Sequence, residues 1–197
     1  MDGFERRRER KKQSILEAAL SLFLEFGVQK VSMNEIATKA SVSQVTIYNY
    51  FKNKDRLVEE VIRYYVDKAW QEADIILTSD LPFPEKIKRL IFNKKRSANN
   101  IHENFYQHFM KAYTAGDGYM AKLMTKEAIP KMMNLFNEGK AQGYVDPAIS
   151  NEAIFFYIQM MNEYMQKKDV YTKILPLTED IMHILFYGIV GNKETRT

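Results

Sequence analysis

Two helix-start signals close together near the N-terminus constrain the fold of this chain more than any other feature. Ser32 and Glu35 have the spacing of a capping box, in which the Ser hydroxyl accepts from the amide of Glu35 and the Glu side chain reaches back. Ser43 can cap a second helix soon afterwards. Because the first helix must end before Ser41 and Val42, the sequence predicts two short helices joined by a three-residue turn.

An amphipathic helix precedes this pair, and a longer helix follows it. Apolar residues recur at helical spacing from Ile15 to Phe26, and Gly27 can serve as the C-terminal cap. Phe51 ends the second short helix, and Asn53 can cap a helix over Lys54 to Leu77. This order of elements is the one in which a helix-turn-helix domain presents its second helix to the major groove of DNA.

The remainder of the chain also favours helices. Gly and Pro number only 8 and 5, too few for a sandwich or barrel with its many turns. The breaks between helical pieces fall at 81–84, 99–100, 116–118, 139–147 and Pro176. We therefore expect an all-α protein of about nine helices, with a kink or an added break at Pro130.

The composition excludes several classes of site. The chain has no cysteine, which rules out disulfides, thiolate zinc sites and cysteine nucleophiles. His102 and His108 stand six residues apart, about 240° around a helix, so they face different directions. Neither a glycine-rich phosphate loop nor a GxSxG turn is present. We expect no metal, no cofactor and no enzymatic activity.

Charge and hydropathy bear on partners and location. The net charge of +4 and the pI near 9.0 favour an anionic partner. Glu17 and Glu25 interrupt the apolar stretch that a signal peptide needs after its basic start. The longest apolar runs fall far short of the roughly 20 residues that cross a bilayer. These patterns predict a soluble, cytoplasmic protein with no membrane partner.

Residues 10 to 57 resemble the N-terminal DNA-binding domain of the tetracycline-repressor (TetR) family of bacterial transcription regulators. The matching residues are Ile15, Ala18, Ala19, Phe23, Gly27, Ser32, Ile36, Ala37, Ala40, Val42, Ser43, Thr46, Ile47, Tyr48, Phe51, Lys54, Asp55 and Leu57. Ser41 stands where the family usually has Gly, which predicts a non-glycine residue near the left-handed region at a cost of roughly 1 kcal/mol. Val45 replaces a small residue, and Tyr50 stands where His is common.

The second short helix offers amide, methyl, hydroxyl and phenol groups suited to base edges, thymine methyls and phosphates. Alternatively, these residues simply form a polar face that is exposed to solvent. The expected DNA contacts are Ser32, Ser43, Gln44, Val45, Thr46, Tyr48, Asn49, Tyr50 and Lys54. Among these, Ser32 both caps and contacts a phosphate, while Lys54 pairs with a phosphate at a helix N-terminus, as the resemblance also implies.

Six basic residues and Glu9 lie between Arg6 and Lys12. The run is either a solvated face or a mobile basic arm that adds salt-dependent affinity for DNA. A membrane-surface or calmodulin-type helix is a third interpretation, which the nearby acidic residues weaken.

Aromatic and methionine side chains cluster in the second half of the chain. They form core or, as the resemblance implies, line a pocket for an apolar effector. The candidate ligand contacts are Phe105, His108, Phe109, Tyr113, Met133, Phe136, Gln159, Asn162 and Glu163.

The last two predicted helices, Ser150 to Gln166 and Thr178 to Val190, are apolar nearly all round. A helix at the edge of a small domain needs a partner to cover such a surface. The resemblance implies a dimer through a four-helix bundle made from these helices. The candidate interface residues are Phe155, Ile158, Ile181 and Leu185.

Together these features predict a helix-turn-helix domain over 1–55 and an effector-binding and dimerisation domain over 56–197. The expected function is a homodimeric regulator, in particular a repressor that a small, largely apolar effector releases from a palindromic operator. A ligand-independent architectural DNA-binding protein is the rival interpretation, and an enzyme with an accessory basic surface is a third.

Overall fold

A computed structural model describes residues 3–98, 101–114 and 118–165, together with the single residues 170, 177, 180, 181 and 184. The described chain is helical and contains no strand, which confirms the all-α prediction. Its helices are α1 Gly3–Phe26, α2 Met33–Lys39, α3 Gln44–Phe51, α4 Lys54–Leu77, α5 Phe83–Ala98, α6 Glu103–Thr114, α7 Gly118–Leu123, α8 Ile129–Ala141 and α9 Asn151–Met165. Of the predicted last helix, only residues 180, 181 and 184 are described, and they are helical.

The chain forms two compact units, Met1–Gln71 with Asn100–Asp117 and Glu72–Asn99 with Gly118–Thr197. In the first unit, α1 contributes Ile15, Ala19 and Phe23 to a core that excludes solvent completely. The ring of Phe105 on α6 stacks on Phe23 at 6.4 Å, and Tyr65 of α4 meets Phe105 edge-on at 5.6 Å. The start of α6 is therefore part of the same core as α1 and α4.

The second unit has its own core around Phe83, Phe136, Val145 and Ile154. The ring of Phe83 stacks on Tyr144 at 6.1 Å. A Cβ at position 139 would lie 2.7 Å from Val145 and 2.8 Å from Phe83, so only glycine lets α8 approach this closely.

Where a kink or an added break was expected at Pro130, the chain stays helical but changes its helix type. A π-helical turn, Met124–Ala128, stands directly before α8, and Pro130 occupies the first turn of that helix. Proline has no N–H to donate and its ring crowds the carbonyl four residues earlier, so the preceding turn widens instead of continuing as an α-helix.

The basic run near the N-terminus is helical in the described structure. The first helix begins at Gly3 and continues through Arg6 to Lys12 without a break. Arg, Lys and Glu are good helix formers, and no Gly or Pro interrupts them before Gly27. The basic side chains therefore lie on the first turns of α1.

Within the described ranges, no helix is both long enough and apolar enough to span a membrane.

Candidate nucleic-acid interface

The predicted capping box at the start of α2 is present in full. The Oγ atom of Ser32 accepts from the amide of Glu35 at 3.2 Å, and the amide of Ser32 donates to Oε2 of Glu35 at 2.7 Å. The Ser32 hydroxyl also donates to Oε2 at 2.6 Å. These Ser32 donors, together with the nearby charge of Lys54, hold the pKa of Glu35 below its ordinary value.

The turn between α2 and α3 has the geometry predicted for Ser41. Its φ of 54° lies in the left-handed region. The Ser41 amide donates to the carbonyl of Thr38 at 3.2 Å, and the Val42 amide donates to that of Ala37 at 3.0 Å, so α2 ends in a Schellman motif. A position that normally takes glycine is filled by serine, and the backbone carries the strain.

The second helix of the motif, α3, buries one face and exposes the other. Ser43 caps it by accepting from the Thr46 amide at 3.1 Å, and its Oγ lies 2.8 Å from the Thr46 hydroxyl. Ile47 and Phe51 are buried in the core of the first unit. At 100° per residue, Val45 and Asn49 each lie about 200° around the helix from Ile47, so they face away from that core.

Solvent exposure agrees with this geometry. Val45 is 67% exposed and Tyr48 is 43% exposed, although neither side chain is charged. Gln44 and Asn49 are exposed beside them. Thr46 is half-buried. The second helix thus presents amide, methyl and phenol groups at its surface, the mixture that reads base edges.

The structure places Lys54 beside the start of α2. Its Nζ donates to the carbonyl oxygen of Val31 at 2.6 Å, next to the Ser32 cap. Lys54 begins α4, and Asn53 caps that helix by accepting from the Arg56 amide at 2.9 Å. Two of the residues predicted to contact phosphate, Ser32 and Lys54, are therefore neighbours.

Sequence reasoning missed a cleft between the first turns of α1 and the end of α3. The cleft encloses about 410 Å³ and is lined by Phe4, Arg7, Arg8, Lys11, Asn49 and Tyr50. The phenol of Tyr50 donates to the carbonyl oxygen of Arg8 at 3.1 Å. The charge run was visible in the sequence, but a contact between residues 42 positions apart has no local signal.

A second missed contact joins the end of α1 to the start of α6. The His102 amide donates to the carbonyl of Leu24 at 2.9 Å, and the Gln29 amide donates to Oδ1 of Asn104 at 3.1 Å. Gly27 has a φ of 80°, and a Cβ there would lie 2.8 Å from the His102 ring. The loop that leads into α2 is thus held by the first residues of α6.

The predicted effector contacts fall in both units. In the first, Phe105 is wholly buried, Nδ1 of His108 lies 2.8 Å from the Asn104 carbonyl, and Phe109 stacks on Tyr113 at 6.2 Å. In the second, Phe136 is buried, Met133 is half-buried and Gln159 is exposed. The side chains of Asn162 and Glu163 lie outside the described residues.

The predicted dimer contacts divide in the same way. Ile158 is only 9% exposed, because it joins Ile154 in the core of its own unit. Phe155 and Ile181 are half-buried, and Leu185 lies outside the described residues. The outward apolar side chains on α9 are others, namely Phe156, Tyr157, Met160 and Tyr164.

No group of three or more Asp, Glu or His side chains is placed to hold a metal in the part of the chain that the structure describes.

Two capped helices at a tight turn, with an uncharged polar second helix exposed beside a basic helix, define a DNA-binding protein of the helix-turn-helix class. Comparison with known proteins gives the family. Residues 15–61 match the family model of bacterial regulatory proteins of the tetR family. Residues 15–61 therefore form a DNA-binding domain of the tetR type.

Similarity to known relatives and solved structures extends over most of the chain. The chain is 26% identical over 152 residues to the HTH-type transcriptional regulator YhgD of Bacillus subtilis, covering 76% of this chain and 80% of YhgD. It is 22% identical over 152 residues to the HTH-type transcriptional repressor KstR2 of Mycolicibacterium smegmatis, covering 76% and 74%. The fold is similar to that of the TetR transcription regulatory protein from Mycobacterium vanbaalenii, with a TM-score of 0.62, 19% identity, and 95% and 99% of the two chains covered.

Proposed function

We propose that this regulator is a repressor whose residues 1–55 bind a roughly palindromic operator, and whose residues 56–197 form a homodimer and bind a small, largely apolar effector that releases the DNA. The observation that carries the proposal is the exposed, uncharged polar face of α3 opposite Ile47. The repressor KstR2, similar over three quarters of this chain, supports repression over activation.

Within the interface, contacts divide by chemistry. Gln44, Val45, Tyr48 and Asn49 are exposed on α3 and contact base edges in the major groove. Phosphate contacts come from Ser32, Ser43, Thr46 and Lys54, whose polar atoms stand at helix starts where backbone amides also attract an anion. The base contacts set sequence preference, and the phosphate contacts set register and salt dependence.

Dimerisation uses the outward face of α9. Phe156, Met160 and Tyr164 stand four residues apart, so they form one stripe along the helix, and Tyr157 widens it. The exposed fractions are 63% for Phe156, 46% for Met160 and 54% for Tyr164. An apolar stripe of this length on a soluble surface favours a second copy of the helix as its cover. Phe155 and Ile181 lie at the edge of that contact, and Leu185 joins it.

Effector binding is transmitted by α6, the helix whose start holds the loop before α2. An effector that packs against His108, Phe109 or Tyr113 shifts α6, and the bonds from His102 to Leu24 and from Asn104 to Gln29 carry the shift to the DNA-binding helices. The spacing of two recognition helices then no longer fits two half-sites one helical turn apart.

A parallel route leaves from α8, which carries Met133 and Phe136. Lys131 of α8 bonds to Oδ1 of Asp74 on α4 at 2.5 Å. Since α4 begins at Lys54 beside the capping box, a displacement of α8 reaches the same helix that starts at the DNA-binding motif. The predicted contacts Gln159, Asn162 and Glu163 lie on α9, the helix assigned to the dimer.

The decisive experiment has two stages. Sequences bound from random DNA are selected first, and an inverted repeat is expected because two identical heads read two half-sites. Small apolar molecules are then screened by fluorescence anisotropy for release of the selected DNA. Two results together would favour a ligand-independent architectural protein instead. The selected sequences would share a DNA shape but no inverted repeat, and no compound would release the DNA.

A further inference from the structure

The first turns of α1 extend beyond the core that holds the rest of the helix. The first core side chain of α1 is Ile15, whereas residues 4–11 are exposed. A helix end without burial frays readily, since each terminal turn gains little from the hydrogen bonds it closes. The extension therefore needs a tertiary contact to hold its basic side chains in position.

Two hydrogen bonds supply that contact. Nζ of Lys12 donates to Oε2 of Glu60 at 3.1 Å and fixes the base of the extension. The Tyr50 hydroxyl donates to the Arg8 carbonyl at 3.1 Å, a full turn closer to the N-terminus. Tyr50 lies only about 60° around α3 from the buried Ile47 and about 100° from the exposed Asn49, and it is half-buried. Its hydroxyl is thus used within the protein, at the border of the proposed DNA surface.

The cleft beside this bond is strongly cationic. Arg7, Arg8 and Lys11 line it, and its described lining includes no Asp or Glu. None of these three side chains forms a salt bridge with a described residue. Asn49 forms the opposite wall and also faces away from the core of the unit. Three uncompensated positive charges beside a groove-facing helix match the charge of a DNA backbone.

We propose that Tyr50 is a positioning residue, which fixes the extension of α1 against α3 so that Arg7, Arg8 and Lys11 bind a DNA backbone phosphate flanking the bases contacted by Asn49. This inference rests on the proposed DNA-binding function and replaces the direct DNA contact expected of Tyr50 by an indirect role. Arg7, Arg8 and Lys11 neutralise the backbone without reading sequence.

The test compares Tyr50→Phe, which removes only the hydroxyl, with the triple variant Arg7→Ala, Arg8→Ala and Lys11→Ala. Operator and non-specific DNA affinities are measured over a series of salt concentrations. Each lost phosphate contact lowers the slope of log affinity against log salt by about 0.9. We expect the slope to fall by roughly one or more in the triple variant and by a large part of that in Tyr50→Phe. Base preference stays unchanged in both.

A matched control is a second tyrosine that bonds to α1, Tyr64 on α4. The Tyr64 hydroxyl donates to Oε1 of Glu17 at 3.3 Å, also between a tyrosine and α1. Tyr64→Phe removes an equivalent bond away from the cleft, and its salt slope should equal that of the wild type. Combining Tyr50→Phe with the triple variant should add no further loss, because the hydroxyl acts only through the basic side chains.

Hydrogen exchange of the free protein tests the positioning step without DNA. Amides of residues 5–12 should exchange faster in Tyr50→Phe than in the wild type or Tyr64→Phe, while those of α3 keep their protection. An unchanged exchange rate there overturns the positioning role.

The DNA measurements separate the remaining outcomes. A wild-type salt slope in the triple variant overturns the phosphate site, and an altered base preference with an intact slope in Tyr50→Phe restores Tyr50 as a base contact. If inorganic phosphate at millimolar concentration protects the extension from exchange more than a DNA duplex does, the cleft is a small-anion site instead. A wild-type protein that binds no DNA sequence selectively refutes the proposed function itself, whatever the exchange data show.

Discussion

Nζ of Lys86, a side chain only 4% exposed, lies 2.6 Å from Oε2 of Glu138. The same ammonium donates at 3.1 Å to the carbonyl oxygen of Leu77, the last residue of α4. A buried cation at the end of a helix satisfies a carbonyl that has no partner within the helix and faces the negative end of the helix dipole. Lys86 on α5 therefore joins the end of α4 to α8.

We predict that Glu138→Ala lowers the free energy of unfolding by about 1 to 3 kcal/mol, because the buried ammonium of Lys86 keeps only the Leu77 carbonyl as partner. Lys86→Met should cost less, since it removes the buried charge and retains an apolar side chain of similar length. Urea denaturation checks both, with the exposed Lys88→Met as a control expected within about 0.5 kcal/mol of the wild type. A larger loss for Lys86→Met would mean that the bond to Leu77 matters more than the compensation of charge.

The strained turn gives a prediction of opposite sign. Ser41→Gly should raise the free energy of unfolding by about 1 kcal/mol, because glycine adopts a φ of 54° without the steric cost that serine bears. Thr38→Gly, inside α2 at an ordinary helical position, should lower it by about 0.3 to 0.5 kcal/mol. Thermal or urea unfolding of the two variants is sufficient. If both substitutions lower the free energy of unfolding, the Ser41 side chain makes a contact that stabilises the fold by more than its left-handed backbone costs.

The helix-turn-helix motif was predictable because its signals are local. The capping box of Ser32 and Glu35, the Ser43 cap and the left-handed Ser41 each depend on residues within about five positions of one another. The Tyr50 contact with Arg8 and the burial of Lys86 depend on residues 42 and 52 positions apart, which periodicity cannot connect. The sequence left the basic run open between a solvated face and a mobile arm, because its charge pattern is local but the contact that could hold it is not.

The dimer residues show a different limit. Alternation of apolar and polar residues identifies the buried face of a helix, but α9 is apolar on several faces and has no such contrast. Only the packing of Ile154 and Ile158 into their own unit reveals that Phe156 and Met160 face outward. The sequence predicts that the helix needs a partner, and only the tertiary structure shows which of its apolar side chains are exposed.

The capping box makes stability depend on pH at the acidic end. Its Ser32 donors lower the pKa of Glu35 from the ordinary 4.5, so in a window below 4.5 the unfolded chain is protonated while the folded chain is still charged. The unfolded state then binds more protons, and the stability from this group is lost as pH falls through the folded pKa. Denaturation from pH 7 to pH 3 should show a flatter decline for Glu35→Gln than for the wild type. Equal declines would mean that the pKa of Glu35 is the same in the folded and the unfolded chain.

Base contact by α3 is tested through its exposed side chains. Tyr48→Ala and Asn49→Ala should each weaken operator binding by roughly 1 to 3 kcal/mol and relax preference at particular base pairs, while non-specific binding changes little. Circular dichroism should show an unchanged helix content, because neither side chain is in the core. Gln71→Ala, exposed on α4, is the control, expected to match the wild type. If each substitution lowers the affinity for operator and for random DNA equally, both side chains contact the DNA backbone and not the bases.

The outward stripe of α9 predicts two distinct effects of a charge. Met160→Glu, 46% exposed in the single chain, should dissociate the dimer and leave the fold intact, because an unpaired carboxylate in an apolar interface costs several kcal/mol. Ile158→Glu, two residues earlier and 9% exposed, should unfold the second unit instead. Sedimentation separates a folded monomer from an unfolded chain. Operator affinity of the Met160→Glu monomer should fall by about a hundredfold or more, because two weakly binding heads are no longer held together. A wild-type protein that sediments as a monomer while binding an inverted repeat tightly would contradict the assignment of this stripe.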